Sequence, residues 1–471
     1  MRRNFNIITL IFVGLIINLN SYSQQNKKDS VFSFTLKQAQ DYALQNNPII
    51  KNANLDIESA KKKIWETTAI GLPQINSKLA YSYMLTIPSK VEEFSSLTTL
   101  GSWMYGVDQA MKNITGDNAH FGYVTAPDPN QKTPSSNDLK WGLTYDITVS
   151  EIIFNGGYIV GLQTAKIYRQ LSELGVTKSQ NDIVESVTNA YYLVLIAQEN
   201  KNIIDSTYSN TEKIFNNIKA MNAQGLVEET DVDQMQLTLS TLKNTAEMLT
   251  RQLEVVRNLL KFQLGIELNQ NVTLTDKLDA LIGAGDLSLA SKEFNVENFA
   301  DYKLMDVQAK LAGLNLKLQK TSFLPDIAAF YNHQENFNKN SFSFTPPDII
   351  GLNVNIPIFG SGMKLARINQ AKLALEKAIN SKQQVSLGLQ TSFAEAKSSY
   401  LNALSKFQTN KQNITLAEKI YKKNLIKYKE GVAGSLDLTQ SQNQYLQAQS
   451  SYYSAIIELT TAKSKLEKML K

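Results

Sequence analysis

The sequence predicts an α+β membrane protein in which long coiled-coil α-helices continue into a transmembrane β-barrel. Three observations support this fold class. Only 10 of the 471 residues are proline, and residues 135–324 and 358–471 contain none, so two long stretches can be helical without a break. Apolar residues recur every 3.5 positions in parts of those stretches, whereas three other segments alternate with period two and a fourth, at 325–332, does so less cleanly. The chain also begins with an export signal.

The composition excludes several classes of protein. The absence of cysteine excludes disulfide scaffolds, zinc fingers and thiol catalysis. The two histidines, His120 and His333, are predicted to lie in outer loops as solvated residues. The 48 basic and 43 acidic residues are interspersed, which argues against nucleic acid as a partner, and the sequence has no Gly-x4-Gly-Lys nucleotide-binding motif. We therefore expect no enzymatic activity, no cofactor and no metal site.

The export signal has the three parts of a secretory signal peptide. Arg2 and Arg3 precede an apolar run over residues 7–17, and Ser21 and Ser23 suit the −3 and −1 positions of a cleavage site. The run is too short for a single membrane helix, which needs roughly 20 apolar residues. Residues 1–23 are therefore predicted to be a signal peptide.

The remaining chain is predicted to be a duplication. Two segments 206 residues apart share Gly, Asp, Gln and Gln at matching positions: Gly225 and Gly431, Asp231 and Asp437, Gln234 and Gln440, Gln236 and Gln442. A Leu-Pro and a Phe-x-Gly motif precede each copy in the same order. We predict a first repeat over 24–265, a linker over 266–295 and a second repeat over 296–471. The first repeat also holds a proline-containing insertion over 84–139, which is predicted to be a long loop with partial structure.

Each repeat is predicted to form a long helix, a tight turn and a returning helix, with turns at about 225–231 and 431–437. After Gly225, apolar residues recur at alternating spacings of three and four up to Leu260. A period of 3.5 keeps one seam of a helix against a supercoiled partner. The helix before Gly225 would be roughly 100 Å long if it is continuous from residue 158 to residue 224.

Four strands are predicted at about 73–84, 139–154, 325–334 and 347–359. The second has the clearest alternation, and its apolar residues are predicted to face lipid: Trp141, Leu143, Tyr145, Ile147 and Val149. The alternation extends to Ile356 and Ile358 in the fourth strand. A soluble sandwich with one wet face is the alternative for a single strand. Four strands in lipid cannot close a barrel, because open edges leave backbone groups unpaired, so two or three chains must share one barrel.

Together these features resemble the TolC family of outer membrane factors, the exit ducts of tripartite efflux and type I secretion systems. The resemblance implies a homotrimer in the outer membrane, with a 12-stranded barrel and a helical tube in the periplasm. It also implies two partners, a periplasmic adaptor (membrane fusion) protein and an inner-membrane pump driven by protons or ATP. The duct itself would conduct passively.

The resemblance also assigns residues at the two turns. It places the adaptor-docking tips at Gly225, Leu226, Val227, Gly431, Val432 and Ala433. It places gate residues at Asp231, Tyr428, Asp437 and Gln440, although Ala433 occupies the position of the arginine in the family's latch. Lys427 or Lys429 could replace that arginine, and simple helix N-capping is the alternative role for Asp231 and Asp437.

A different class of protein also fits the long helices. A secreted coiled-coil structural or adhesive protein would show the same 3.5-residue seam, but it would not require four alternating strands. Lysine substitutions in the strands would separate the two hypotheses, because only a membrane protein should lose its assembly.

Overall fold

The computed structural model describes residues 32–86, 97–115, 141–283, 287–337 and 346–470. The predictions for the signal peptide 1–23 and for His120 lie outside these residues. None of the helices in the described ranges combines the length and the apolar character that a transmembrane helix needs.

Ten helices are present in the described chain, and four of them are long. In chain order they are α1 (Leu36–Asn46), α2 (Pro48–Ala69), α3 (Leu97–Thr115), α4 (Gly156–Ala223), α5 (Glu229–Leu264), α6 (Leu278–Ile282), α7 (Leu287–Ala290), α8 (Ala300–Thr321), α9 (Met363–Lys429) and α10 (Ser435–Met469). A 3₁₀ turn spans Val296–Asn298. The helices α4 and α9 have 68 and 67 residues, as the missing prolines predict.

Six strands form two sheets. They are β1 (Phe32–Phe34), β2 (Gln74–Tyr83), β3 (Trp141–Phe154), β4 (Val272–Leu274), β5 (Asp326–Asn336) and β6 (Asp348–Asn355). β1 and β4 form a parallel pair, and the other four form an antiparallel sheet in the order β2-β3-β5-β6. Ile356 and Ile358, which the alternation assigns to the fourth strand, follow the end of β6. Pro357 between them lacks the N–H group that a ladder requires.

The described chain divides into two compact units. One comprises the described parts of Met1–Ala53, Val176–Phe299 and Gly388–Lys471, and the other comprises those of Asn54–Gly175 and Ala300–Leu387. Each unit contains segments of both predicted sequence repeats. The compact units are therefore not the repeats themselves.

The first unit is built on the predicted 3.5-residue seams. On α5 the buried apolar side chains are Met235, Leu239, Leu242, Leu249, Leu253, Leu260 and Leu264. On α10 the seam includes one polar residue, Ser441, which is buried. Its Oγ donates to the carbonyl oxygens of Asp437 and Leu438 at 2.9 Å, so this hydroxyl is satisfied within its own helix.

The segment predicted as an inter-repeat linker folds into the short elements β4, α6 and α7, and Asp276 joins it to the start of the chain. One carboxylate oxygen of Asp276 accepts hydrogen bonds from the Leu36 amide at 2.7 Å and from the Tyr191 hydroxyl at 3.0 Å. Tyr191 is fully buried, and this burial raises the pKa of its hydroxyl. The linker is thus part of a packed core.

The junction between α1 and α2 contacts the end of α5 closely. The buried Asn47 donates its Nδ2 to the carbonyl oxygen of Gln263 at 2.7 Å. Gly265 follows α5 with φ +74°, and a Cβ built there would lie 2.9 Å from the carbonyl oxygen of Asn46. Both the left-handed backbone and the close contact therefore favour glycine at this position.

We expect Gly265→Ala to destabilise the chain more than Gly225→Ala does. Gly225 also has a positive φ, but a Cβ there meets no atom of the described chain within 4 Å, so its cost is the backbone penalty of about 1–2 kcal/mol. At position 265 the collision with the backbone of α1 adds to that penalty. Thermal unfolding of the purified variants measures the difference, and equal melting temperatures would contradict this account of the junction.

The four-stranded sheet of the second unit has one apolar and one polar face. Residues directly opposite in the register share a face. The apolar face carries Ile75, Leu79, Tyr81, Tyr83, Trp141, Leu143, Tyr145, Ile147, Val149, Tyr331, Ile350 and Leu352. On the other face Asn332 donates its Nδ2 to Thr148 Oγ1 at 2.9 Å. Most of these side chains are exposed, and Ile350 reaches 84%, whereas the four from Leu143 to Val149 in the middle of β3 are half-buried.

The prediction that His333 lies in an outer loop is wrong, because His333 belongs to β5. Its backbone is paired with Ile147 on β3 and with Asp348 on β6. Its Nδ1 lies 2.8 Å from Asp348 Oδ1, and the Tyr331 hydroxyl donates to the same oxygen at 2.6 Å. β5 continues past its apolar residues because the polar groups of Tyr331, His333 and Asp348 hydrogen-bond to one another on the apolar face of the sheet.

Candidate functional site: the paired helical turns

The turn between α4 and α5 is closed by a Schellman motif, a helix end in which two amide groups bond backwards across a left-handed residue. Gly225 has φ +70° and donates its amide to the carbonyl oxygen of Asn222 at 2.8 Å. The Leu226 amide donates to the carbonyl oxygen of Met221 at 3.0 Å. These two bonds satisfy carbonyl groups that the end of α4 would otherwise leave open.

The turn between α9 and α10 repeats this geometry 206 residues later. Gly431 has φ +72° and donates its amide to the carbonyl oxygen of Tyr428 at 3.0 Å, and the Val432 amide donates to that of Lys427 at 2.8 Å. The two predicted turns therefore share one backbone structure. Glycine suits both because its left-handed conformation reverses the chain without the strain of a Cβ.

The side chains that follow each glycine are apolar and exposed. Leu226 is 65% exposed and Val432 is 75% exposed, whereas Val227 and Ala433 are half-buried. A Cβ on either glycine would meet no described atom within 4 Å. Each hairpin thus ends in a single projecting aliphatic side chain beside open backbone.

An apolar cluster joins the two hairpins behind their turns. Ile218, Met235 and Leu438 are fully buried in it, and the rings of Tyr421 and Tyr445 stack with centroids 5.7 Å apart. Residues of α4, α5, α9 and α10 all contribute to this cluster. The two turns are therefore held side by side by a common core.

A polar contact crosses between the hairpins above this core. The buried Ser435 donates its Oγ to Asp231 Oδ1, and these residues begin the two returning helices. The neighbouring Tyr428 hydroxyl is buried without a hydrogen-bond partner among the described residues. Burial, and then the charge of Asp231, raise the pKa of that hydroxyl. Asp231 and Tyr428 thus lie near one another, and the group bonded to Asp231 is Ser435 rather than Lys427 or Lys429.

The alternative role of Asp231 and Asp437 as helix N-caps is wrong. The N-cap residues of α5 and α10 are Glu228 and Gly434, and neither provides a side-chain cap in the described structure. Both aspartates instead lie in the first helical turn, where a negative charge is favoured by the helix dipole.

The two remaining gate candidates are exposed. Asp437 faces solvent, and Gln440 lines an open groove of about 710 Å³ between α9 and α10. The lining includes six amide side chains: Asn410, Asn413, Gln440, Asn443, Gln444 and Gln447. The described residues that line this groove carry no charge. Gln440 therefore lies on a neutral polar surface, whereas position 437 carries a carboxylate.

The hairpins and the sheet together define a class of protein. Two matched helical hairpins share a core and end in exposed tips, and the same chain carries an antiparallel sheet with an exposed apolar face. This combination is typical of an outer membrane channel with a periplasmic helical domain.

Comparisons with known proteins agree with this class. Residues 304–470 match the family described as outer membrane efflux protein. CusC, whose crystal structures address transmembrane channel formation, superposes with a TM-score of 0.70 at 14% identity, covering 96% of this chain and 95% of CusC. The CmeC outer membrane channel of Campylobacter jejuni gives 0.67 at 16% identity, with 92% and 85% covered. The outer membrane protein VceC of Vibrio cholerae gives 0.65 at 16% identity, with 92% and 95% covered.

No individual curated protein matches the chain by sequence. The family match is limited to residues 304–470, and the described chain as a whole has the fold of the CusC and CmeC structures. The resemblance drawn from the sequence is confirmed over residues 304–470 by this match, and the fold that it implies is confirmed by the solved structures.

Proposed function

We propose that this chain is the outer membrane exit duct of a tripartite efflux or type I secretion system and that it conducts passively. The observation that supports this proposal is that one chain contains both two matched hairpin tips and a sheet with one apolar face. No catalytic role is assigned to any residue, so the energy for transport comes from an inner-membrane pump, driven by protons or by ATP.

The sheet supports a shared barrel. β2 and β6 are its outer strands, and neither has a second strand neighbour among the described residues. In lipid such edges would leave backbone groups unpaired. Three copies joined edge to edge would give 12 strands, with the apolar face toward the acyl chains and Asn332 and Thr148 toward the lumen.

The proposed assembly is tested by membrane fractionation and by electrophoresis with and without heating. We expect the mature chain in the outer membrane as a trimer that dissociates on heating. A soluble monomer in the periplasm would contradict the duct and would favour the alternative of a secreted structural or adhesive protein.

The tips support docking of a periplasmic adaptor. Leu226 and Val432 are apolar, exposed and carried at equivalent positions of two hairpins with the same backbone. Burying such side chains against a partner is favourable, and the left-handed glycines allow a partner to approach the backbone closely.

The contact between Ser435 and Asp231 supports a gate held closed by a neutral donor. It joins the starts of α5 and α10, so the two hairpins cannot separate without breaking it. A hydrogen bond to a charged group contributes roughly 1.5–3 kcal/mol. In a trimer the contact would occur three times around the tube, in place of an arginine-based latch.

We expect Ser435→Ala to make the closed duct leakier, at a cost of roughly 1.5–3 kcal/mol per protomer to the closed state. Single-channel recording in planar bilayers measures the change. Ser441→Ala is the matched control, because Ser441 is also buried but bonds only within α10. Ser435→Thr keeps a hydroxyl and should restore the low conductance. Equal conductance in Ser435→Ala and wild type would remove Ser435 from the gate.

A further inference from the structure

The two copies of the Phe-x-Gly motif follow the second strand of each hairpin of the four-stranded sheet, and the first copy is packed. Phe154 ends β3, is half-buried and pairs with the half-buried Ile327 of β5. A Cβ built at Gly156 would lie 2.8 Å from Thr321 Cβ. The first copy therefore contacts the end of α8 and the start of β5.

The second copy of the motif is exposed. Phe359 follows β6 and is 88% exposed, and a Cβ built at Gly360 would meet no described atom within 4 Å. At the offset of 205 residues between the predicted repeats, Phe359 corresponds to Phe154. At the offset of 252 residues, Ile75 corresponds to Ile327. Ile75 is also exposed, at 73%, and it lies on β2, at the opposite edge of the sheet from β6.

The backbone groups at the two edges of the sheet alternate in a known order. The Phe337 amide donates to the Leu143 carbonyl oxygen, so odd-numbered residues of β3 bond to β5 and even-numbered ones bond to β2. By the register between β2 and β3, the odd-numbered residues of β2 then direct their amide and carbonyl groups to the free edge. The Gln334 amide donates to the Pro347 carbonyl oxygen, so the even-numbered residues of β6 point to the other free edge.

The predicted duplication selects one register between these two edges. β6 and β2 are the counterparts of β3 and β5, which pair within the chain. The corresponding register places Leu352 opposite Tyr81 of a second copy, and Asn353 opposite Ala80. Leu352 and Tyr81 both belong to the apolar face, and the backbone groups of both point to free edges. A slip of one residue would violate both conditions.

We propose that β6 of one copy pairs with β2 of the next copy in this register, and that Phe359 packs on Ile75 of that next copy. The partner of this surface is thus a second copy of the same chain. The contact joins different surfaces of the two copies, and its repetition around a three-fold axis closes a ring. The inference rests on the proposed function, because it names the contact by which the shared barrel is assembled.

The contact between copies differs from the β3–β5 contact in one polar interaction. Asn155 donates its Nδ2 to Asp326 Oδ1 at 2.8 Å. Gly360 and Gln74 occupy the corresponding positions, and Gln74 donates its Nε2 to the carbonyl oxygen of Ala69 at 2.7 Å. This hydrogen bond therefore has no counterpart between copies, and the contact at this end of the strands depends on the burial of Phe359.

Disulfide cross-linking tests the register. The chain contains no cysteine, so an introduced pair supplies the only thiols. Asn353→Cys is combined with Ala80→Cys in the full chain, and outer membranes are treated with copper phenanthroline, which oxidises adjacent thiols to a disulfide. Within one copy β2 and β6 are separated by two strands and lie roughly 14 Å apart, too far for a disulfide. A cross-link therefore reports contact between copies.

The matched control combines Asn353→Cys with Ser82→Cys, two residues along the same face of β2. Diagonal neighbours lie roughly 7–8 Å apart, beyond the usual reach of a disulfide. In heated, non-reducing electrophoresis we expect covalent trimers for the pair at 353 and 80 and monomers for the control. Stronger cross-linking of the control than of the test pair would overturn the register.

Phe359→Ala tests the side-chain contact without any cysteine. We expect this variant to lower the temperature at which the trimer dissociates, because an apolar contact between copies is lost. Ile358→Ala is the matched control. Ile358 corresponds to Ile153, which is 58% exposed although the first copy of the motif is packed. Equal dissociation temperatures for Phe359→Ala and wild type would overturn the docking of Phe359.

Unheated electrophoresis separates the failure of this inference from the failure of the duct. Heat-sensitive trimers that form no cross-link between positions 353 and 80 would reject the proposed register and keep the duct. The absence of trimers from the wild-type chain would reject the shared barrel, and the contact between β6 and β2 with it.

Discussion

Replacing Leu143 and Ile147 by lysine is expected to abolish assembly in the outer membrane. Both residues lie on the apolar face of β3, where the register pairs them with Tyr81 and Ser77 of β2. A lysine on the lipid face of a barrel costs about 2–4 kcal/mol near the bilayer midplane. A trimer of the double variant would place six lysines in lipid, so the free-energy cost of inserting the barrel would be several times larger. The heat-sensitive trimer should therefore be lost from the outer membrane fraction.

The polar face of the same strand supplies matched controls. Thr144→Lys and Asp146→Lys place the same side chain one residue away from each test position but on the other face. We expect these variants to form trimers, because their lysines would face a wet lumen. Trimers of normal abundance in the Leu143→Lys, Ile147→Lys variant would contradict a lipid-facing β3 and would favour the secreted coiled-coil alternative.

Replacing Leu226 and Val432 by aspartate is expected to abolish export while the trimer remains intact. Both side chains project from the tips, so a carboxylate there is tolerated in the free chain. Buried unpaired against an adaptor, each charge would cost several kcal/mol. The measurement is the amount of adaptor protein cross-linked to the duct in cells, with the adaptor identified by mass spectrometry.

Leu416→Asp is the control for the tip variants. Leu416 is an exposed leucine of α9, and it lies 16 residues before Val432, or roughly 24 Å along a helix. This variant should cross-link to the adaptor as the wild type does. Normal cross-linking of the Leu226→Asp, Val432→Asp variant would show that the adaptor docks elsewhere.

The local features of the fold could be predicted from the sequence because each depends on near neighbours. Gly225 and Gly431 end long apolar-periodic helices, and their left-handed φ values follow from that position. The alternation from Trp141 to Val149 sets which residues of β3 share a face. The periodicity of apolar residues depends on local backbone geometry, so both features could be predicted from the sequence alone.

The features that depend on contacts between distant residues could not be predicted. Ser435 bonds to Asp231 across 204 residues, and a lone serine at the start of a helix gives no signal of such a partner. His333 contacts the Asp348 carboxylate of the neighbouring strand, and that contact depends on the register between β5 and β6.

Single-channel recording of the purified trimer in planar lipid bilayers shows whether the chain forms a gated duct. We predict discrete conductance steps that are small in the wild type. We predict larger steps in Asp437→Ala, because the exposed Asp437 would form a ring of three carboxylates near the tips. Trimers that insert into the bilayer and produce no conductance steps in either form would contradict the account.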